Sequence, residues 1–173
     1  MVCSPLSHLP DLSTSLIDDT QAPGKTCVVG AGYVALECGG FINGLKQGDV
    51  TVLVRSVPLR GFDREIVDKV TAYMTNAGVK LNIGVTPTNI TKLENGQLEV
   101  TYSSGDKDVF DTVLAAIGRS ADVGALGLDS VGVQTNPKNG KIICRNEQSS
   151  VPHIYAIGDV VDDAPELTPG KHS

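Results

Sequence analysis

The apolar positions of the chain first form a regular pattern over residues 26–54. Residues 26–30 are a short apolar run that is typical of a strand buried on both faces. Residues 33–45 then repeat apolar side chains at helical spacing, and residues 49–54 form a second apolar run. The pattern predicts a β-α-β unit with a right-handed crossover. We expect one stripe of the helix to face the sheet: Val34, Cys38, Phe41 and Leu45.

A second helix and a third strand continue the same alternation. Asp63 is placed to cap a helix that runs to about Ala77, and Gly78 is suited to end it. Residues 79–85 predict a third strand of the parallel sheet. The spacing of apolar residues predicts the buried face of this helix: Ile66, Val70, Tyr73, Met74 and Ala77.

The pattern changes after residue 85. Asn95-Gly96 is a strong hairpin signal, and Ser104-Gly105-Asp106 predicts a second turn shortly after it. Residues 112–117 are again a buried apolar run. We therefore predict an antiparallel meander, followed by a strand that returns to the parallel sheet.

The two ends of the chain are less regular. Residues 1–22 are rich in Ser, Pro and Asp and predict a poorly ordered leader or linker. Beyond residue 120, apolar runs at 141–144 and 153–157 predict two short strands among turns. We divide the chain into this leader, an α/β domain at 23–120 and a looser segment at 121–173.

Composition excludes several classes of function. The 173 residues carry 14 Lys plus Arg against 20 Asp plus Glu, and the net charge of −6 argues against a nucleic-acid surface. No apolar run approaches the length of a membrane-spanning segment, and the N-terminus lacks the features of a secretory signal. We therefore expect a cytoplasmic protein that does not associate with a membrane. No metal site is expected, because the cysteines lack metal-ligand or disulfide spacing: Cys3, Cys27, Cys38 and Cys144.

The first candidate site is the glycine turn between the first strand and the first helix. Gly30-Ala31-Gly32 leads into Tyr33 and Val34, so that N–H groups at the helix start face a ligand above the turn. That arrangement suits a pyrophosphate. We expect a β-branched residue at Gly32 to fill the pyrophosphate space and to be disfavoured by the backbone angles. An ordinary strand-to-helix turn, in which the glycines serve packing, is the alternative.

The second candidate site is a set of cations after the second strand. Arg55, Ser56 and Arg60 lie where folds that bind NAD place an acidic residue, about 20 residues after the glycines. Arginine at this position suits a ribose 2′-phosphate, which it contacts directionally and with charge assistance. The sequence therefore predicts NADPH as a cofactor. The alternative is that these are solvated surface arginines.

Three segments together resemble the pyridine nucleotide-disulfide oxidoreductases, and among them the high-molecular-weight thioredoxin reductases. These segments are Gly30–Cys38, Val52–Asp63, and Ala156–Val160 with Leu167-Thr168-Pro169. The resemblance covers residues 23–169, and glutathione reductase is the close alternative.

The resemblance implies roles for individual residues. Gly30, Gly32 and the helix start at Tyr33 and Val34 would bind the NADPH pyrophosphate, and Tyr33 would also cover the nicotinamide pocket. The cations named above would hold the 2′-phosphate. Glu37 would pair with a lysine near the flavin, a lysine that has no counterpart here. Structural roles remain open for two of them: Tyr33 as a cap of the helix and Glu37 as a solvated residue.

Later residues would complete the cofactor contacts. Gly118 and Arg119 match the segment that closes the nucleotide domain, and Asp159 after Gly158 matches a contact to the ribityl chain of FAD. A simple turn cap is the alternative for Asp159.

The implied fold class is α/β: a Rossmann-like NADPH-binding domain with a parallel sheet and an antiparallel meander, plus an incomplete part of an FAD-binding domain. In complete family members, which are homodimers, hydride passes from NADPH to FAD, and electrons then reach a dithiol and thioredoxin or a similar disulfide. The sequence shows no CxxxxC dithiol, first FAD-binding glycine turn or catalytic His. We therefore expect no catalytic residue, no retained FAD and no activity of the chain alone. A non-catalytic NADPH-binding module is the alternative.

Overall fold

The computed structural model describes residues 22–163, and the chain divides into two compact units between Ile117 and Gly118. The predicted leader, except for Ala22, and the segment Leu167-Thr168-Pro169 lie outside the described residues. In chain order the elements of the first unit are β1 (Thr26–Val29), α1 (Tyr33–Leu45), β2 (Val50–Val54), α2 (Arg64–Asn76), β3 (Lys80–Ile83), β4 (Pro87–Lys92), β5 (Leu98–Tyr102), β6 (Lys107–Phe110) and β7 (Thr112–Ala115).

The first unit contains two sheets. The parallel sheet has the order β3-β2-β1-β7, so that β1 pairs with β2 on one side and with β7 on the other. The antiparallel sheet has the order β4-β5-β6 and begins with the hairpin predicted at Asn95-Gly96. The predicted mixed α/β class is confirmed, with both the parallel sheet and the antiparallel meander.

The central strand β1 is buried on both faces because a different layer covers each face. Val28 lies in one apolar cluster with Leu36 and Met74 of the two helices. The next residue, Val29, points the other way and lies in a cluster with Val100 and Phe110 of the antiparallel sheet. The meander therefore covers the sheet face that the helices leave open, as a parallel sheet requires.

The two helices begin in different ways. The carboxylate of Asp63 accepts a hydrogen bond of 3.0 Å from the Ile66 N–H, which confirms the predicted cap of α2. Gly78, with φ 106°, follows the end of this helix. Gly32 is the N-cap residue of α1, and no side chain of the described residues caps this helix.

The predicted buried face of α1 is wrong in part. Phe41 and Leu45 are 68% and 59% exposed, whereas Ala35 and Gly39 are buried. The backbone lies close to the sheet at Gly39, where an added Cβ would lie 3.5 Å from a methyl group of Val52. Leu36 and Ile42 complete the buried face, so the packed stripe lies one position beyond the predicted one and includes two small residues where the helix approaches the sheet.

The same displacement occurs in α2. Val67 and Met74 are buried, whereas Ile66 and Tyr73 are 57% and 75% exposed. Val70 is also exposed, at 37%. The prediction is confirmed for Met74 and wrong for Ile66 and Tyr73, because the helix has two neighbouring apolar stripes that periodicity does not distinguish.

Turns and isolated β-bridges make up the described part of the second unit, residues 118–163. It contains a short helix, α3 (Leu128–Val131), and 3₁₀ turns at Gly124–Leu126 and Gly158–Val160. The strands predicted at 141–144 and 153–157 do not form. Single bridges connect the chain instead: Thr135 to Ile142, Ile142 to Val161, Arg145 to Gln148, and Gln148 to Tyr155.

Left-handed residues explain why these bridges do not extend into strands. Asn146 and Glu147 have φ of 51° and 63°, so the chain turns away from extended geometry between the predicted strands. A small cluster of buried residues supports the unit: Val133, Ile142, Ala156 and Val161.

Candidate functional site

Gly30 forms the turn at the carboxyl end of β1, and the fold itself requires a glycine there. Its φ is 120°, and an added Cβ would collide with the carbonyl oxygen of Ala116. The Gly30 N–H donates to the Leu53 carbonyl at 3.1 Å, while the Ala116 N–H donates to the Val29 carbonyl at 2.9 Å. These bonds join the turn to both neighbouring strands.

Gly32 has a different role from Gly30. Its φ of −75° and ψ of 177° are extended angles that any residue adopts, so the expectation that the backbone disfavours a side chain at Gly32 is wrong. Among residues 22–163, no atom lies within 4 Å of a Cβ added at Gly32. The glycine therefore leaves open space directly at the N-terminus of α1, where the first turn contains no acidic residue. That end of a helix dipole favours an anion.

The cations lie on the loop between β2 and α2. The guanidinium of Arg60 donates a hydrogen bond of 2.9 Å to the Oγ of Ser56. Arg55 directly follows β2, and all three side chains are exposed. The structure thus brings Arg60 and Ser56 together and places Arg55 next to Ser56 in the chain.

One backbone contact ties this loop to the glycine turn. The Leu59 N–H donates to the Ala31 carbonyl at 2.8 Å, and both side chains pack against the cluster on the helix side of the sheet. Leu59 has φ 45°, an unfavourable angle for leucine. The glycine turn follows β1 and the loop with the arginines follows β2, at the same edge of the sheet. The hydrogen bond from Leu59 to Ala31 therefore connects the two candidate phosphate-binding segments.

Arg64 is a residue of this loop region that the sequence reasoning missed. Its guanidinium donates to the carbonyl oxygens of Pro58, Leu59 and Phe62 over 2.7–3.3 Å. The sequence signal for this role is weak: Arg64 is one more arginine near Arg55 and Arg60, directly after the residue that caps α2.

Tyr33 and Glu37 lie one helical turn apart on α1 and border a groove of about 260 Å³. Tyr33 is 38% exposed. Val34 is half-buried in the same first turn. The rest of the groove is lined by apolar side chains: Leu36, Leu59, Phe62, Val70 and Met74. The groove therefore offers an apolar surface with a single carboxylate at its border.

The remaining predicted site residues belong to the second unit. Gly118, with φ 130°, and Arg119 follow Ile117 and are both exposed. Gly158, with φ 76°, begins a 3₁₀ turn that exposes Asp159. Their contacts to a cofactor stay predictions.

The described thiols with displaced pKa values are poor nucleophiles. Burial, with a smaller effect from the charge of Asp108, raises the pKa of Cys27 to about 12. Burial, with a smaller effect from Glu37, also raises the pKa of Cys38. Both thiols are therefore protonated at neutral pH, and they serve packing.

Within residues 22–163, no three His, Cys, Asp or Glu side chains converge to hold a metal ion. No helix in this range combines the length and the apolar character needed to cross a membrane.

Solved structures share this fold. The HOCl-induced flavoprotein disulfide reductase RclA of Escherichia coli, in its Cu(II) complex, superposes with a TM-score of 0.78. The two chains are 24% identical, and the match covers 90% of this chain and 35% of that one. At this identity the likeness shows the fold alone.

Curated relatives match at higher identity. The thioredoxin reductase of Plasmodium falciparum (isolate FCH-5) is 42% identical over 96% of this chain and 32% of its own length. The thioredoxin reductase SEP1 of Emiliania huxleyi is 47% identical over 81% of this chain and 29% of its own length. The chain thus spans about a third of the length of these relatives.

A family model described as pyridine nucleotide-disulphide oxidoreductase matches residues 12–172, which is nearly the whole chain. It agrees with the relatives, the fold and the glycine turn. The chain belongs to the pyridine nucleotide-disulfide oxidoreductase family.

Proposed function

We propose that this chain binds NADPH through its first unit. The glycine turn and the N-terminus of α1 hold the pyrophosphate, while Arg55, Ser56 and Arg60 hold the 2′-phosphate. The observation that supports this most is the 2.9 Å contact between Arg60 and Ser56, on a loop that is hydrogen-bonded to the glycine turn.

The chemistry of the donors fits the 2′-phosphate. Two guanidinium groups and a hydroxyl offer positive charge and several N–H and O–H donors, which a phosphate dianion accepts. A site for NAD would offer an acidic residue to the ribose hydroxyls instead. The open space at Gly32 similarly lets a pyrophosphate approach the helix N-terminus.

The roles at the nicotinamide end of the cofactor rest on the family resemblance of Tyr33 and Glu37 at the start of α1. NADPH supplies a hydride from this end when it is bound. The groove that both residues border is also lined by Leu59 and Phe62, which flank Arg60, so we assign the groove itself to the adenosine side. We assign Tyr33 the role of a cover over the nicotinamide ring and Glu37 that of a pairing group toward the flavin side.

The second unit is proposed to contribute to a flavin site. The exposed carboxylate of Asp159 offers an acceptor for the ribityl hydroxyls, with Gly158 giving close access, and Gly118 and Arg119 border the nucleotide-binding unit. A single carboxylate anchors little of so large a cofactor. Stable FAD binding needs far more buried surface than this turn provides.

We propose that the chain acts as one part of the reaction that its longer relatives carry out. There, electrons pass from NADPH through FAD to a dithiol and on to thioredoxin. The names of the 42–47% identical relatives support thioredoxin over glutathione disulfide as that substrate. The homodimeric state and the cytoplasmic location remain predictions.

Calorimetric titration with NADPH and NADH tests the proposal. We expect the chain to bind NADPH more tightly, since each charge-assisted contact contributes roughly 1.5–3 kcal/mol. Replacing Arg55 and Arg60 by alanine should remove most of this preference. Lys69→Ala is the control, because it removes an exposed positive charge from α2 whose ion pair among the described residues is with Glu65. Equal affinities of the unmodified chain for both nucleotides would contradict the proposal.

A spectroscopic assay separates binding from catalysis. The 173-residue chain should lose added FAD on desalting and should not reduce a small aromatic disulfide with NADPH, because its cysteines form no CxxxxC pair. A retained flavin spectrum with turnover would show that the chain is a complete reductase. Tight NADPH binding without turnover would support the binding module.

A further inference from the structure

We propose that Arg64 is a positioning residue for the 2′-phosphate site. Its guanidinium holds the loop that carries Arg60 and thereby sets the preference for NADPH over NADH, without itself contacting the phosphate. This inference rests on the proposed NADPH site.

The guanidinium of Arg64 bonds to backbone on both sides of Arg60. Its Nη2 donates to the Leu59 carbonyl at 2.7 Å, and both Nη1 and Nη2 donate to the Pro58 carbonyl at 3.2 Å. Its Nε donates to the Phe62 carbonyl at 3.3 Å. One rigid, planar group therefore fixes three carbonyls whose relative positions define the turn.

The turn needs such support because its backbone is unfavourable. Leu59 has φ 45°, and Gly61 has φ 93°. The Phe62 N–H closes the turn by donating to the Leu59 carbonyl at 3.1 Å, and Arg64 binds the same carbonyl. The charge of Arg64 thus strengthens the hydrogen bonding at the left-handed residue.

The donors of Arg64 and Arg60 are used differently. Most of the five N–H groups of Arg64 donate to backbone carbonyls. Arg64 therefore cannot form a bidentate contact to a phosphate without releasing the loop. Within residues 22–163, Arg60 donates to the hydroxyl of Ser56 alone, and a phosphate oxygen can also contact this hydroxyl. Arg60 is therefore the ligand, and Arg64 holds it in place.

The test compares Arg64→Lys with the unmodified chain. Lysine keeps the charge but not the planar fork, so we expect NADPH affinity to fall on the order of tenfold, as for a lost charged hydrogen bond. NADH lacks the 2′-phosphate, and its affinity should change less than about twofold. Arg64→Gln, which removes the charge as well, should lose the same preference. Lys69→Gln is the matched control on the same helix and should keep it.

The outcomes separate the two proposals. If the unmodified chain does not prefer NADPH, both the site and this inference are wrong. If it does, and Arg64→Lys keeps the preference, Arg64 acts only through its charge or not at all. An equal loss of affinity for both nucleotides would also overturn the inference, because it would indicate general damage to the turn. Circular dichroism and the thermal midpoint verify that the variants are folded.

Discussion

The two units of this chain are stabilised by different kinds of interaction. In the first unit, β1 is paired along its full length on both sides, and separate layers cover its two faces. The described second unit instead has isolated bridges around one small cluster. A continuous sheet can therefore support an unfavourable loop at its edge, whereas the second unit depends on a few individual residues.

Side-chain hydrogen bonds replace strand pairing in the second unit. The carboxylate of Asp162 accepts from Asn139 at 3.0 Å and from Asn136 at 2.9 Å, joining two distant turns. Ile142 takes part in two of the bridges and donates its N–H to Val160 at 2.8 Å. Loss of a single contact should thus affect a larger share of this unit.

The largest expected effect is in the first unit, at Gly30. Gly30→Ala places a Cβ against the Ala116 carbonyl at φ 120°, and we expect the free energy of unfolding to fall by about 3 kcal/mol or more. Gly32→Ala is the control, since its Cβ meets no atom of residues 22–163 and should cost at most about 1 kcal/mol through weaker capping. Chemical denaturation measures both. Equal costs would show that the sheet edge does not constrain Gly30.

A smaller effect is expected in the second unit at Ile142. This side chain is 5% exposed, and Ile142→Ala should cost about 2–4 kcal/mol. The neighbour Ile143 is 43% exposed, so Ile143→Ala should cost less than about 1 kcal/mol. Amide hydrogen exchange of residues 133–162 reports the difference. Similar exchange in both variants would mean that the small cluster does not stabilise the unit.

The smallest expected effect is the pH dependence at Asp162. The hydrogen bonds from Asn139 and Asn136 lower the pKa of this carboxyl below its ordinary value. The stabilisation is therefore present above the unfolded-state pKa, near pH 4, and is lost as the pH falls through the lower folded-state pKa.

Asp162→Ala tests this sign. The variant should be less stable than the unmodified chain at neutral pH, and the difference should disappear in acid. Asp122→Ala, which removes an exposed carboxylate of the same unit, is the control for the lost charge. A constant difference down to strong acid would exclude the ionised carboxylate as the cause.

Local sequence signals predicted most of the first unit. The Asn95-Gly96 turn, the Asp63 cap and the apolar strand runs are all found where the sequence places them, because each depends on neighbouring residues. The helix faces were not predictable in this way. Ala35 and Gly39 face the sheet because the backbones approach closely there, a distance that apolar periodicity does not encode.

The candidate site was predicted by position but not by geometry. The strand ends indicated where the glycine turn and the cations lie. The sequence suggested that backbone angles require glycine at Gly32, but the structure has the positive φ at Gly30. The carbonyl oxygens that Arg64 binds and the bond from Leu59 to Ala31 exist only once the loop has its tertiary position. Such contacts leave no residue pattern in the chain.

The hydrogen bond between Leu59 and Ala31 bears on any redesign of the cofactor preference. Because it connects the loop to the glycine turn, any replacement of residues 55–64 has to keep a donor to the Ala31 carbonyl. Substituting Arg55 and Arg60 would remove the phosphate contacts but would supply no acceptor for the ribose hydroxyls of NADH. A conversion to NADH therefore calls for transplanting the whole segment, with an acidic residue already in place and with its own anchor to the turn.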